Sequence, residues 1–193
     1  MNEKKVRIER VLIDEATIEA RVSEMAAHIS DLYRDKGSLV LVGILKGSFI
    51  FLADLARRLT IPHRVDFMAL SSYGTAATTS GIVRTLLDLR RPIVGEHVLI
   101  VEDIVDTGLT LHYLADNFRS RRPVSIATCV LLSKPERREV EVQVDHLGFE
   151  IPDVWVVGYG LDYAEQYRTL PYIGVLTPPD QTQPLDLHDD TSD

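Results

Sequence analysis

The chain has 193 residues, of which 45% are hydrophobic and 26% charged, an ordinary balance for a globular protein. Its formal net charge of -8 argues against a nucleic-acid-binding surface. The single cysteine, Cys129, excludes an intrachain disulfide framework and favours a buried thiol in a reducing compartment. Residues 1–10 are charged, and no apolar run reaches the roughly 18 residues of a membrane span. We therefore expect a cytoplasmic protein without a secretory signal or membrane anchor.

The stretch before residue 46 predicts a helix followed by a buried strand. Apolar residues recur at helical spacing over 18–33, with Asp14 as a candidate N-cap and Gly37 as a candidate stop. The continuous apolar run 38–45 is typical of a strand that is buried on both faces of a parallel sheet.

The next stretch predicts a second helix and then a hairpin. Lys46-Gly47 interrupts the apolar run, and an apolar stripe over 49–59 predicts the helix. Two extended segments within about 64–90 flank the small, polar stretch 71–81. We interpret this hairpin as a flap over a site, with a disordered loop as the alternative.

The second half of the chain repeats the alternation. A buried strand at 97–101 ends in two acids, a helix follows over 107–119, and another strand covers 124–132. Further strand-like segments are 155–159 and 172–176. This order predicts an α/β fold in which helices flank both faces of a mostly parallel, twisted sheet. We assign 1–177 to one domain and interpret the acidic segment 178–193 as a disordered tail.

The most informative segment is 98–110 (VLIVEDIVDTGLT), which runs from an apolar strand through three acids into a Thr-Gly-Leu-Thr turn. Parallel sheets bind ligands beyond the carboxyl ends of their strands. The amides that open a helix attract phosphate, and Gly108 lets it approach closely. Glu102 and Asp103 can accept hydrogen bonds from ribose hydroxyls or bind a hard cation. Solvated acids and a helix N-cap would explain any two of these residues, but they explain the whole ordered string poorly.

This segment resembles the phosphoribosyl-pyrophosphate motif of the type I phosphoribosyltransferases. Over about 11–176 the chain is similar to one branch of them, the hypoxanthine-guanine phosphoribosyltransferases. The supporting motifs are Leu45-Lys46-Gly47, Ser72-Tyr73, Lys134-Pro135 and 156–163 (VVGYGLDY), followed by Arg168. The resemblance implies the type I fold, with a flap hairpin and a small hood. It also implies an enzyme of purine salvage, which joins the 5-phosphoribosyl group of phosphoribosyl pyrophosphate to hypoxanthine and/or guanine and releases pyrophosphate.

The resemblance further implies that Asp106 is the general base of the transfer. The residues that bind the ribose and its phosphate would be Glu102, Asp103, Ile104, Val105, Asp106, Thr107, Gly108, Leu109 and Thr110. Those that bind pyrophosphate would be Lys46, Gly47 and Arg168, with a non-proline cis peptide bond in the loop. The flap residues that close over the reacting centre would be Ser72 and Tyr73.

For the purine, the resemblance implies that Lys134 contacts the exocyclic O6, that Trp155 stacks on the base and that Val156 contacts it through its backbone. Asp162 would lie near the purine 2-position. Taken singly, these residues also fit a solvated basic run, core packing or an exposed turn. Trp155 departs from the Phe that most members carry, so the preference among hypoxanthine, guanine and xanthine stays open. The implied cofactor is Mg²⁺, with ligands Glu102, Asp103 and Asp162.

The expected partners are phosphoribosyl pyrophosphate and a 6-oxopurine, in a homodimer or homotetramer without nucleic acid or membrane. One alternative is a non-catalytic regulatory protein on the same fold that senses phosphoribosyl pyrophosphate. Such proteins bind nucleic acid through a basic face, which the acidic charge of this chain disfavours. A second alternative is a phosphotransfer protein with a Walker loop, but the candidate segment 43–48 (GILKGS) lacks the required spacing.

Overall fold

The computed structural model describes residues 7–72 and 83–177 of the chain. In chain order the elements are β1 (Ile8–Ile13), α1 (Glu15–Tyr33), β2 (Leu39–Leu45), α2 (Phe49–Arg58), β3 (His63–Ser72), β4 (Val83–Leu87), β5 (His97–Val105), α3 (Leu109–Ser120), β6 (Ser125–Ser133), a 3-10 turn (Pro135–Arg137), β7 (His146–Glu150), β8 (Val156–Val157) and β9 (Ile173–Leu176).

A six-stranded sheet in the order β4-β3-β2-β5-β6-β7 forms the centre of the fold. Its neighbours are parallel except for β3 and β4. Strand β2 is buried on both faces. Leu39 and Leu41 belong to the core formed with α1 and α2, whereas Val40 and Val42 belong to the core formed with α3. The predicted α/β class, with helices on both faces of a mostly parallel sheet, is confirmed.

A second, three-stranded antiparallel sheet in the order β1-β9-β8 is the small hood that the resemblance implied. Its register pairs Ile13 with Ile173 and Val156 with Val175. The sequence patterns missed β1 because half of its six side chains are exposed and charged residues interrupt its apolar positions. They also missed β7, a short strand at the edge of the main sheet.

Both arms of the predicted hairpin are present, as strands β3 and β4. Strands β3 and β4 pair antiparallel, from Ala69 opposite Leu87 to Ser72 opposite Val83. The predicted tip of the flap, including Tyr73, lies outside the described residues, as does the acidic segment 178–193.

Strand β5 corrects the predicted position of the acids. It does not end before Glu102 but continues to Val105, because Glu102 pairs with Val130 and Ile104 with Leu132 of β6. The apolar run in the sequence ends at Glu102, but the backbone pairing of β5 with β6 continues beyond it. The acid pair therefore lies within the last part of a strand.

Two glycines shorten predicted elements. Helix α3 begins at Leu109 rather than at 107, because Gly108 has a φ of 87° and leaves the helical region. Of the predicted strand 155–159 only Val156–Val157 is extended, because Gly158 has a φ of 99°.

Cys129 is fully buried in β6, as expected, and burial raises the pKa of its thiol. Among the described helices, none combines the length and the apolar character needed to cross a membrane.

Candidate active site

The loops that follow β2 and β5 meet at one edge of the main sheet. The two strands are parallel neighbours, with Gly43 opposite Val101, so their carboxyl ends point the same way. Together with Asp162 and Arg168, from the segment between β8 and β9, they line an open cavity of about 330 Å³. Its lining comprises Ile44, Leu45, Lys46, Gly47, Leu70, Glu102, Asp103, Ile104, Val105, Asp106, Thr107, Gly108, Thr110, Leu111, Asp162 and Arg168.

The turn between β5 and α3 presents an open helix N-terminus to this cavity. Gly108 occupies the N-cap position in the left-handed conformation and has no side chain to cap the helix, and the hydroxyl of Thr107 accepts only a long hydrogen bond of 3.4 Å from the amide of Leu109. A Cβ atom on Gly108 would lie 2.8 Å from the carbonyl oxygen of Val140, so only glycine fits without a shift. Backbone amides at such a terminus bind anions well.

The two acids of β5 are unusual because burial opposes their ionisation. Glu102 is only 6% exposed, and burial, with the neighbouring Asp103, raises its pKa well above the ordinary value. Burial also raises the pKa of Asp103 to about 6. Within 7–72 and 83–177, neither carboxylate has a Lys or Arg nitrogen within salt-bridge distance. A cation bound here would favour ionisation of both.

Asp106 is held by two arginines that the sequence analysis did not single out. Its Oδ1 accepts a hydrogen bond of 2.7 Å from Arg137 Nε, and its carbonyl oxygen accepts one of 3.1 Å from Arg138. Arg137 also lies 3.5 Å from Asp153, whose other oxygen is 3.4 Å from Lys134 Nζ. These contacts join the turn after β5 to the segment after β6.

Lys46 and Arg168 also line the cavity. The peptide bond between Leu45 and Lys46 is cis, as the resemblance implied. Gly47 packs directly on Asp103, because a Cβ on it would lie 1.8 Å from Asp103 Oδ2. Arg168 donates to the carbonyl oxygen of Gly160 at 2.9 Å and pairs with Asp162 at 2.8 Å.

A carboxylate of the hood connects these two cations. Glu165 accepts from Lys46 Nζ at 2.8 Å and from Arg168 at 3.2 Å. The sequence analysis also missed this residue.

Of the residues expected at the purine, Asp162 lines the cavity, whereas Lys134, Trp155 and Val156 do not. Lys134 is buried, and its amide donates to the carbonyl oxygen of Val105 at 3.0 Å. Val156 is buried in the hood, whereas the adjacent Trp155 is 58% exposed and its ring is free to be covered. Leu109 also lies outside the lining, on the first turn of α3.

The sequence of the whole domain matches known proteins. The family model described as "Phosphoribosyl transferase domain" matches residues 12–164. The chain belongs to the phosphoribosyltransferase family. Hypoxanthine phosphoribosyltransferase of Salmonella typhimurium is 53% identical over 165 residues, which cover 85% of this chain and 93% of that protein. Hypoxanthine-guanine phosphoribosyltransferase of Dictyostelium discoideum is 50% identical over 169 residues, with 86% and 94% covered.

Solved structures agree with the sequence matches. Hypoxanthine phosphoribosyltransferase of Trypanosoma cruzi, at 48% identity, gives a TM-score of 0.85 over 92% of this chain and 95% of that chain. The predicted family is therefore confirmed, down to the hypoxanthine and hypoxanthine-guanine enzymes of purine salvage. These phosphoribosyltransferase relatives give no support to the regulatory alternative.

The cavity of this phosphoribosyltransferase gathers most of the expected site residues. The segment from Glu102 to Gly108, the loop after β2 that contains Lys46 and Gly47, and both Asp162 and Arg168 face it. Ser72 ends β3, and Tyr73 lies outside the described part of the chain. One signal could have revealed Arg137: the parallel register sets Val105 opposite Ser133, so the residues after β6 lie beside Asp106.

Proposed function

We propose that the chain transfers the 5-phosphoribosyl group of phosphoribosyl pyrophosphate to hypoxanthine and/or guanine, giving IMP or GMP and pyrophosphate. The names of the relatives support this substrate pair. The observation that carries the proposal is the single cavity in which the N-terminus of α3, with glycine at its N-cap, the acid pair of β5 and two cationic side chains converge.

The sugar phosphate is proposed to bind at the start of α3. Its 5-phosphate would accept hydrogen bonds from the amides and hydroxyls of Thr107, Gly108 and Thr110, helped by the positive end of the helix dipole. Glu102 and Asp103 would accept hydrogen bonds from the two ribose hydroxyls. Because this cradle grips groups that do not react, it would hold the anomeric carbon in line between base and leaving group.

We propose that Asp106 accepts the proton that the attacking purine nitrogen loses. The bond from the anomeric carbon to pyrophosphate breaks as the bond to the purine nitrogen forms, and positive charge develops on the sugar. A positioned base typically contributes about 10²–10⁴-fold to such a step. The carboxylate oxygen bonded to Arg137 would turn towards the purine, or its partner oxygen would take the proton.

Enzymes of this family use a divalent metal, and we propose that here it is Mg²⁺. Glu102, Asp103 and Asp162 offer the hard oxygen ligands that Mg²⁺ prefers. Glu102 is buried, and among the described residues no Lys or Arg nitrogen lies within salt-bridge distance of either Glu102 or Asp103, which supports this choice. In the described residues, no group of three or more His, Cys, Asp or Glu side chains is placed to hold a metal ion by itself. Mg²⁺ would therefore need water and substrate phosphates as further ligands, which it commonly takes together with one or two carboxylates. Bound there, it would neutralise negative charge on pyrophosphate.

Lys46 and Arg168 are proposed to bind the leaving pyrophosphate, with the backbone of Gly47. Both side chains are cationic, and the planar guanidinium of an arginine suits paired phosphate oxygens. Charge on the leaving group grows in the transition state, so cations fixed beside it would lower the barrier.

The purine is proposed to lie between Trp155 and the backbone of Val156, with Lys134 at its O6. A buried cation favours a 6-oxo group as acceptor and disfavours the 6-amino group of adenine. The exposed indole of Trp155 gives a stacking surface. Asp162 would lie near the purine 2-position.

We also propose a cytoplasmic homodimer or homotetramer with one catalytic domain over 1–177. The flap would close through Ser72 and Tyr73. One solved relative, from Trypanosoma cruzi, has been studied for the effect of its C-terminal region on oligomeric state and activity, which supports testing assembly with the full chain.

A spectrophotometric assay tests the proposed function. The purified chain is mixed with phosphoribosyl pyrophosphate, MgCl₂ and, in turn, hypoxanthine, guanine, xanthine or adenine. We expect nucleotide formation with hypoxanthine, guanine or both, and none with adenine. Turnover with adenine alone, or with no purine at all, would contradict the proposal.

A further inference from the structure

We propose that Glu165 is an internal competitor of pyrophosphate, whose carboxylate occupies both cations of the leaving-group site in the free enzyme. The inference rests on the proposed function, because it takes Lys46 and Arg168 as the pyrophosphate ligands. It adds a residue that sets the affinity of this site and the ease of product release.

The geometry resembles that of a bound anion. Oε2 of Glu165 lies 2.8 Å from Lys46 Nζ, and Oε1 lies 3.2 Å from a terminal nitrogen of Arg168. One carboxylate thus spans two cations that come from distant parts of the chain, as two oxygens of a phosphate group would. The contact with Lys46 also lowers the pKa of Glu165, so the carboxylate is ionised at neutral pH.

The local backbone points to a role for the side chain. Tyr163 and Gln166 exchange backbone hydrogen bonds across a two-residue turn, and Ala164 and Glu165 at its centre have φ values of 50° and 61°. Turns with two left-handed residues favour glycine, asparagine and aspartate. Glutamate is a poor choice for this backbone. Its contacts with the two cations supply a reason for its presence that the turn itself does not.

Asp162 fixes the turn between Tyr163 and Gln166 through a hydrogen bond. Its Oδ2 accepts from the amide of Glu165 at 2.8 Å, while Oδ1 pairs with Arg168. The hydrogen-bonded turn therefore orients the Glu165 side chain towards the two cations.

The ion pair between Glu165 and Lys46 is weak enough for pyrophosphate to displace it. The side chains of Lys46 and Glu165 are each 66% exposed, and exposed ion pairs are weak. Pyrophosphate and the Glu165 carboxylate are both anions, so they repel each other and compete for the same two cations. Binding of pyrophosphate would therefore displace Glu165, and return of Glu165 would favour release of pyrophosphate. The same competition would apply to the pyrophosphate group of the substrate.

Calorimetric titration of the full chain with pyrophosphate, in buffer containing MgCl₂, tests this inference. We expect Glu165→Gln to bind pyrophosphate roughly two- to fivefold more tightly than wild type, the range of a lost exposed ion pair. Glu165→Gly suits the left-handed backbone and should show the same gain. The matched control is Glu24→Gln on α1, because Glu24 is equally exposed and pairs with Arg21 at 2.9 Å outside the cavity. It should leave the dissociation constant unchanged.

Lys46→Met separates the inference from the proposed function. If Lys46 binds pyrophosphate, Lys46→Met weakens the titration, and adding Glu165→Gln to it gives a smaller gain than in wild type. If Lys46→Met and an Arg168→Met variant both bind normally, the proposed pyrophosphate site is wrong. If those variants bind weakly but neither Glu165 variant binds more tightly than wild type, the competitor role alone is overturned.

Discussion

Helices α1 and α3 begin in opposite ways, although both start at a turn after a strand. At α1 the protein closes its own helix end, because Asp14 Oδ1 accepts from the amide of Thr17 at 2.7 Å. At α3 the N-cap is Gly108, which has no side chain to offer, and the end faces the cavity. A capped end has its amides satisfied by the protein and serves stability. An uncapped end beside a cavity leaves its amides to a ligand.

The largest effect is expected from Asp106→Asn, which removes the proposed general base at the turn before α3. Asp106→Asn keeps the shape of the side chain but removes the proposed base. We expect kcat to fall about 10²–10⁴-fold while the KM values for both substrates change little. Steady-state kinetics with hypoxanthine and guanine measure this.

Asp116→Asn is the control for Asp106→Asn. Asp116 lies on α3, the helix that follows the turn, and pairs with Arg119 on an exposed surface, so its loss removes one charge without touching the cavity. Near-normal turnover of Asp106→Asn, or an equal loss in both variants, would refute the assignment of the base.

Lys134→Ala gives the next largest effect and tests the side of the turn next to β6. Loss of a hydrogen bond from a charged donor costs roughly 1.5–3 kcal/mol. We expect the KM for the purine to rise about 10- to 100-fold, with a much smaller change for phosphoribosyl pyrophosphate. Equal weakening for both substrates would count against a role in reading the base.

The α/β core could be predicted because its elements carry local signals. Helix α1 shows helical spacing and a capping acid, and β2 is a continuous apolar run, since both of its faces are buried. The hood could not be predicted from patterns in this way. In β1 only Ile13 is fully buried, and β8 is two residues long, so neither carries a period that marks a strand.

The site shows the same division. The two acids of β5, Asp106 and Gly108 lie within one short segment of the sequence, 102–108, so their order alone indicated a phosphate site. Arg137 and Glu165 could not be found in this way. Their contacts with Asp106 and Lys46 span 31 and 119 residues of sequence, and they exist only once strand register and turn geometry are set.

Gly108→Ala tests the open helix end with a smaller change. A left-handed alanine costs about 1–2 kcal/mol, and here its Cβ would also press on the carbonyl oxygen of Val140. We expect the affinity for GMP or IMP to fall roughly tenfold, because the phosphate cradle shifts. Calorimetric titration measures the affinity.

Gly37→Ala is a matched control for Gly108→Ala from the region after α1. Gly37 has a φ of 85°, close to the 87° of Gly108, but a Cβ there meets nothing within 4 Å. It should lower the melting temperature without weakening nucleotide binding. Equal loss of affinity in both variants would show that the effect is global destabilisation.

Asp14→Ala should have the smallest effect on function and completes the comparison. It removes the cap of α1, so we expect the melting temperature to fall by roughly 2–4 °C with kcat and KM unchanged. Asp14→Asn, whose side chain can also cap, should retain wild-type stability at neutral pH. A loss of turnover in Asp14→Ala would mean that the two helix ends are not separate in function.

The pH dependence of the melting temperature, compared between wild type and Asp14→Asn, tests the charge of the cap separately. The amide of Thr17 lowers the pKa of Asp14 below the ordinary 3.8, so the ionised cap stabilises the fold above that pH. As pH falls through the lowered pKa, the carboxylate takes up a proton and this stabilisation is lost. Asparagine has no proton to gain, so the melting temperature of wild type should fall relative to that of Asp14→Asn only below pH 3.8. A difference that is constant with pH would mean that the charge of Asp14 adds nothing to its capping hydrogen bond.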